Sequence, residues 1–291
     1  MMMVGAAYQA GALSISAESI EHAIELNGVA VAANIQAFRR GRQVVDNPDA
    51  VAHTVTGLHG SPVTGEIEPT EYAVSVVARL GSLGADLART IAIRYDELIA
   101  YADERYAREY LEFVSRVHRA GHGTAFTGAV ARSLYKLMAY KDEYEVARLT
   151  QDPAFAAQIA EQFGDDADVA IRLHPPTLRS MGMKEKLSLG GWADRPLSAL
   201  AKMKRLRGTK LDPFGHNEIR RTERALIGEY RELMEELLAG LADGRVGPDR
   251  VGSAVELAEL PDMIRGYESI KMANVARYRE EVTARRQTLG I

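Results

Sequence analysis

The chain has 291 residues, of which 46% are hydrophobic and 26% charged, and a formal net charge of −4. That length and apolar content allow a substantial core and exclude global disorder, while the acidic balance excludes a general electrostatic attraction to nucleic acid or anionic membrane. With no cysteine, the chain forms no disulfide, thiolate zinc site or cysteine-ligated iron–sulfur cluster of its own.

The opening residues are apolar but lack the basic region of a signal peptide. No run of about twenty apolar residues offers a membrane span. The expectation is cytoplasmic, with no membrane partner. Met1, Met2 and Met3 lead straight into a helical pattern, as expected of a start inside a longer coding region.

Residues 1–45 read as three helical pieces, divided at Gly11 and at Asn27-Gly28, with Ser16 as an N-cap and Glu18 in the first turn after it. Ile35 and Phe38 share a face of the third piece, which Gly41 is expected to end. No strand precedes these helices, so they read as the closing helices of an incomplete α/β domain that exposes apolar surface. Residues 46–69 are rich in turn formers, including Asn47-Pro48 and Glu68-Pro69, and read as a linker.

Residues 70–291 read as a mainly helical domain with a small β insert near 165–192. Leu80, Leu87, Ile91, Tyr95, Leu98, Tyr101 and Tyr106 recur at helical spacing, and Gly121-His-Gly123 interrupts them. A helix is expected from Thr127 to Thr150, with Val130, Leu134, Leu137, Met138 and Tyr144 inward and Arg132, Lys136 and Glu143 hydrated. Asp152-Pro153 starts another helix, which Gly164 ends. Val169–His174 alternates as a half-buried strand does, with a pairing partner expected in Met183–Leu189. A broad apolar face follows, from Leu226 and Tyr230 through Leu233, Met234 and Leu237 to Leu241. Gly244 ends it and Pro261 divides what remains, where Ile264, Ile270, Val275, Tyr278 and Val282 form a last stripe. The fold class is therefore mainly α.

No residue set carries a recognisable catalytic device. His118 and His122 have the spacing of a two-histidine metal site, but glycines flank His122 and no Glu follows His118. A capping or loop role is the preferred reading, as it is for His53 and His59 in the linker. There is no nucleophile elbow and no phosphate loop, and Phe126 stands where a dinucleotide fingerprint needs its third glycine. Gly164-Asp-Asp166 lacks the rest of a thiamine-diphosphate motif. Lys202, Lys204, Arg205, Arg207 and Lys210 form a basic run without interleaved aromatics, read as a solvated face with Leu200, Met203 and Leu206 turned inward. Lys136, Tyr140, Lys141, Asp142 and Tyr144 form a polar cluster explicable by local helical ion pairs and packing. In 211–216, Asp212 and Pro213 set a turn, Phe214 is a hydrophobic plug, and His216 has no identified partner. Lys136, Tyr140, Lys141, Asp142, Tyr144, Arg207, Asp212, Phe214 and His216 are the interface or motif candidates. No catalytic, cofactor or metal residue is assigned.

The strings KLMAYKDEYEVARL at 136–149 and LRGTKLDPFG at 206–215 are followed by RTERALI at 221–227 and RGY at 265–267. In this order, and with the opening MMMVGAAY and AIELNG at 23–28, they resemble the C-terminal part of fused indolepyruvate ferredoxin oxidoreductases. Residues 1–42 resemble the end of the gamma-type domain of 2-oxoacid:ferredoxin oxidoreductases, and about 70–285 the domain that follows it. The resemblance implies oxidative decarboxylation of aryl 2-oxoacids to acyl-CoA with ferredoxin reduction. Thiamine diphosphate and iron–sulfur clusters are then expected in an upstream region that this sequence lacks. The implied partners are that upstream region and a second copy in a homo-oligomer, with ferredoxin and CoA reached only through the full assembly. The competing reading is a free-standing helical module that binds protein or, less in keeping with the charge, nucleic acid.

Overall fold

The computed structural model describes residues 1–49, 67–164, 171–173, 187–189 and 194–291. The chain divides into two compact units, Met1–Glu66 and Ile67–Ile291. Most of the expected linker, with His53 and His59, lies outside the described residues.

The first unit contains α1 (Met2–Gln9), α2 (Ala17–Asn27) and α3 (Val31–Asp46). Ser16 caps α2 by accepting from the Ser19 N–H at 3.2 Å, and Gly28 ends it in the left-handed conformation. Phe38, Ile20 and Ile24 form a small buried cluster, against which Val4, Tyr8 and Ile35 pack. Met3, Leu26 and Val29 remain more than 60% exposed, a large apolar surface for so small a core.

Gly41 does not end α3, which runs on to Asp46. Its role is steric. A Cβ on Gly41 would lie 1.9 Å from the Met2 carbonyl oxygen, and one on Gly5 would lie 1.9 Å from the Phe38 oxygen. The two glycines let the backbones of α1 and α3 touch. Gly5→Ala meets the interior of α3, which cannot fray away from the clash, and is expected to destabilise this unit by about 2 kcal/mol, despite the roughly 1 kcal/mol by which helix propensity favours alanine. Amide exchange over α1 checks this. Unchanged protection would show that the close crossing is dispensable.

The second unit is helical around one buried helix. It begins with α4 (Glu71–Ala78), α5 (Ala85–Tyr101), α6 (Glu104–Arg119) and α7 (Thr124–Met138). Ten of the fifteen residues of α7 are buried, because α5, α6 and two later helices all pack on it. A helix surrounded in this way needs apolar or small side chains on all sides, and Phe126, Ala129, Val130, Ala131, Leu134 and Met138 supply them.

The expected helix from Thr127 to Thr150 is in fact two, α7 and α8 (Glu143–Thr150). Asp142 breaks it, because its carboxylate accepts from the Glu145 N–H at 2.8 Å and starts a new helix. Next come α9 (Pro153–Phe163), the antiparallel strands β1 (Ile171–Leu173) and β2 (Leu187–Leu189), and α10 (Asp194–Lys202). Ile171 pairs with Leu189 and Leu173 with Leu187. α10 packs on α8 through Leu197 and Ala147.

The chain returns to the core in α11 (Glu218–Ala242), whose Leu226, Tyr230, Leu233, Met234 and Leu237 are buried. α12 (Val251–Glu259), a 3₁₀ turn at Leu260–Met263 and α13 (Glu268–Leu289) complete the unit. α11 and α13 run parallel, laced by ion pairs Glu223–Lys271, Glu229–Arg279 and Glu236–Arg286 in ascending order along both. Ile270 is not part of the last buried stripe: it is 64% exposed. It lies five residues before Val275, which places it about 140° around the helix from it.

Candidate functional site

The polar cluster and the LDPFG turn meet where the excursion between α7 and α11 leaves the core and returns to it. Asp142, the α8 cap, is 3% exposed in its side chain, and Arg207 is 10% exposed. Arg207 donates from Nε to Asp142 Oδ2 at 2.5 Å and from Nη2 to Oδ1 at 2.9 Å, a two-pronged guanidinium–carboxylate pair. Its Nη1 donates to the Tyr101 carbonyl at 2.7 Å, and its Cζ lies 3.6 Å from the centre of the Tyr101 ring. Burial works against the Arg207 charge, but the hydrogen bonds to Asp142 and the electrostatics of Asp142 and the neighbouring tyrosines more than offset it and raise its pKa.

Four tyrosines surround this pair. The Tyr101 hydroxyl donates to the Tyr140 carbonyl at 3.0 Å and the Tyr106 hydroxyl to the Met138 carbonyl at 3.0 Å. Both thereby satisfy carbonyls left open where α7 stops. Tyr140 sits edge-on to Tyr101 at 6.0 Å. Tyr144 donates to Asp212 Oδ1 at 3.0 Å and packs edge-on against Phe214 at 5.3 Å. Asp212 also accepts from the N–H groups of Gly208 and Phe214, which closes the turn around its own carboxylate. Phe214 is therefore the hydrophobic plug its sequence suggested. Burial pushes Tyr101 well above the ordinary tyrosine range.

A second layer holds the base of α11. Arg220 reaches Glu143 at 3.1 Å, Glu223 at 2.7 Å and the Lys141 carbonyl at 3.2 Å. Lys271 completes the group through Glu223. Glu143, expected to be hydrated, is a buried partner of Arg220, and burial raises its pKa.

The contacts that hold Asp142 and Tyr144 to the second string are not local. Asp142 and Arg207 lie 65 residues apart, and Tyr144 and Asp212 lie 68 apart. Lys136, also expected to be hydrated, is only 34% exposed and pairs with Asp262 at 3.0 Å. The basic run is a solvated face only in part: Lys202, Arg205 and Lys210 are exposed, and two of its members turn inward. Arg207 is inserted, Lys204 donates to the Ala100 carbonyl, and Met203 is 40% exposed. A chain that leaves α10 through a 3₁₀ turn at Met203–Leu206 no longer follows the α-helical spacing that put Met203 inward. Lys141 and His216 are exposed.

Sequence reasoning missed Lys204, Arg220, Glu223 and Lys271 as members of this site, and took Tyr101 and Tyr106 only as apolar packing. One signal was available. Asp142 followed three residues later by Glu145 is the pattern of a helix start.

Above this knot is a cleft of about 140 Å³, lined by Lys136, Tyr140, Lys141, Glu223 and Lys271 with Leu137, Leu226 and Ile264. His118 lies in the last turn of α6 and His122 beyond its end, so the two do not share a helix. Among the described residues no group of three or more His, Asp or Glu side chains is placed to hold a metal ion, and no helix is long and apolar enough to cross a membrane.

No curated protein and no solved structure matches the chain. A family of unknown function, DUF6537, matches residues 87–284. That match spans α5 to α13, the knot and the cleft, and more than half of the chain, which therefore belongs to the DUF6537 family.

Proposed function

We propose that this chain is the C-terminal portion, or a separately encoded subunit, of an indolepyruvate ferredoxin oxidoreductase, and that it supports assembly rather than making or breaking bonds. The reading rests on the resemblance carried by the strings at 136–149 and 206–215. One observation supports the bracing role in particular: four charged or hydroxyl groups of those strings spend hydrogen bonds on one another, Asp142 with Arg207 and Tyr144 with Asp212. Groups saturated in this way hold a chain in place. On this reading the first unit is the closing part of an α/β domain whose remainder covers its exposed apolar side chains. The upstream region holds the thiamine diphosphate, which supplies the electron sink for decarboxylation, and the iron–sulfur clusters. The assembly is cytoplasmic and homo-oligomeric, and ferredoxin and CoA meet it through the upstream region.

The rival reading, a free-standing interaction module using the basic run, is disfavoured by the inward course of Arg207 and Lys204. The test is to assay this chain, the upstream protein and their mixture for indolepyruvate-dependent reduction of ferredoxin or a dye. Activity is expected only with the upstream protein present, and highest or longest-lived in the mixture. Activity from this chain alone, or an upstream protein equally active and stable without it, would overturn the proposal.

A further inference from the structure

The knot absorbs Asp142, Tyr144, Arg207 and Asp212, but it leaves the lysines of the 136–149 string unexplained. They face the cleft above it. Its floor is apolar and firmly held, since Leu137, Leu226 and Ile264 are each no more than 5% exposed. Three lysines, Lys136, Lys141 and Lys271, also line it. Lys136 comes from the end of α7, Lys141 from the break before α8, and Lys271 from the first turn of α13, so the three converge only in the folded unit.

The charge balance within the cleft is uneven. Glu223 is its one lining carboxylate, and it is already shared between Lys271 and the Arg220 guanidinium behind it. Lys136 is held by Asp262, itself also paired with Arg265. Lys141 is exposed, with no side-chain hydrogen bond or ion pair among the described residues. An excess of positive charge therefore borders a concave apolar surface. That combination suits a small ligand with an oxyanion at one end and a short apolar group at the other: the head exchanges water for ammonium donors, and the tail lies against the small apolar area that the floor still exposes.

We propose that this cleft binds a small organic oxyanion, with Lys141 as its free cation and Lys136 and Lys271 as flanking donors. The proposal does not rest on the oxidoreductase reading, and the two fail separately, because binding is measured on this chain alone without any upstream protein.

The experiment follows the melting temperature and binding calorimetry of the full chain with butyrate, monobutyl phosphate and inorganic phosphate, each against chloride at equal ionic strength. Butyrate or monobutyl phosphate, at a concentration about tenfold over its Kd, is expected to raise the melting temperature by about 3 °C beyond chloride. The better of the two identifies the head group, and a weaker effect of inorganic phosphate identifies the contribution of the apolar floor. Lys141→Gln, at an exposed position, is expected to melt like the wild type without ligand and to bind about tenfold more weakly. Lys210→Gln removes an equally exposed lysine that does not line the cleft and is expected to change nothing. No shift beyond chloride with either organic anion, or an equal shift in the wild type and Lys141→Gln, would overturn the proposal.

Discussion

Leu233→Asp is expected to unfold the second unit, or bring it to the edge of unfolding, at neutral pH. Leu233 is 5% exposed on the inner face of α11, where it packs within the same apolar cluster as Phe126, Leu134 and Leu257. Removing a buried leucine costs about 3 kcal/mol through lost burial and the cavity left behind. Placing an unpaired carboxylate there adds several kcal/mol of desolvation. The sum, about 5 kcal/mol or more, is comparable to the whole stability of an ordinary domain. The pH dependence gives a second check on the mechanism. A carboxyl buried among apolar side chains has its folded pKa raised above the unfolded value. The protonated form is then the tolerated one, and the deficit is smallest below the unfolded pKa and grows as pH rises through the folded pKa. Urea denaturation at about pH 4.5 and pH 7 is expected to show a smaller gap to wild type at the lower value. A midpoint unchanged at both would mean that this face is not part of the core.

The helices were largely legible in the sequence because one-sided periodicity is a local signal. Leu226, Tyr230, Leu233 and Leu237 repeat at the spacing of one face, and that face is buried. Turn glycines were legible for the same reason: Gly28 and Gly121 hold positive φ values that other residues resist. Reading failed where a residue's role depends on what arrives from far along the chain. Gly41 looked like a stop signal, but its function is to admit the backbone of α1, which no local pattern announces. Ile270 looked like core because it is apolar and near a stripe, but its phase on α13 points it elsewhere. Arg207 sat in a run of five cations with nothing to mark it as the inserted one. Its partner Asp142 is 65 residues away, and only the topology of the excursion brings them together.

That topology gives the knot its importance. The segment from α8 through α10 leaves the core after Met138 and rejoins it at Glu218. Two neighbouring contacts tie its two ends, Asp142 to Arg207 and Tyr144 to Asp212. Both ends are also tied to the core itself, through the Tyr101 carbonyl, which accepts from Arg207, and through the Tyr140 and Met138 carbonyls, which accept from Tyr101 and Tyr106. Closing so long a loop costs conformational entropy, which grows slowly with length, so a few strong contacts at its base suffice to offset it.

Arg207→Ala is accordingly expected to cost about 3–5 kcal/mol, the range for removing one partner of a buried ion pair. The loss exceeds that of a surface pair because Asp142 would be left as a nearly inaccessible carboxylate that accepts, among the described residues, from the Glu145 N–H, and the Tyr101 ring would lose the cation stacked on it. Arg207→Lys is expected to recover less than half, since an ammonium cannot span both Asp142 oxygens and the Tyr101 carbonyl at once. The double variant Arg207→Met with Asp142→Asn tests the cause. It removes both charges, and asparagine can still accept from the Glu145 N–H and preserve the cap. It is expected to be more stable than Arg207→Ala, because the penalty lies mainly in the orphaned charge rather than in the missing attraction. Chemical denaturation gives the energies, and protease cleavage between 143 and 217 reports whether the base of the excursion has opened. Stability within about 1 kcal/mol of wild type for Arg207→Ala, with cleavage unchanged, would show that the tyrosines and Asp212 hold the excursion without it.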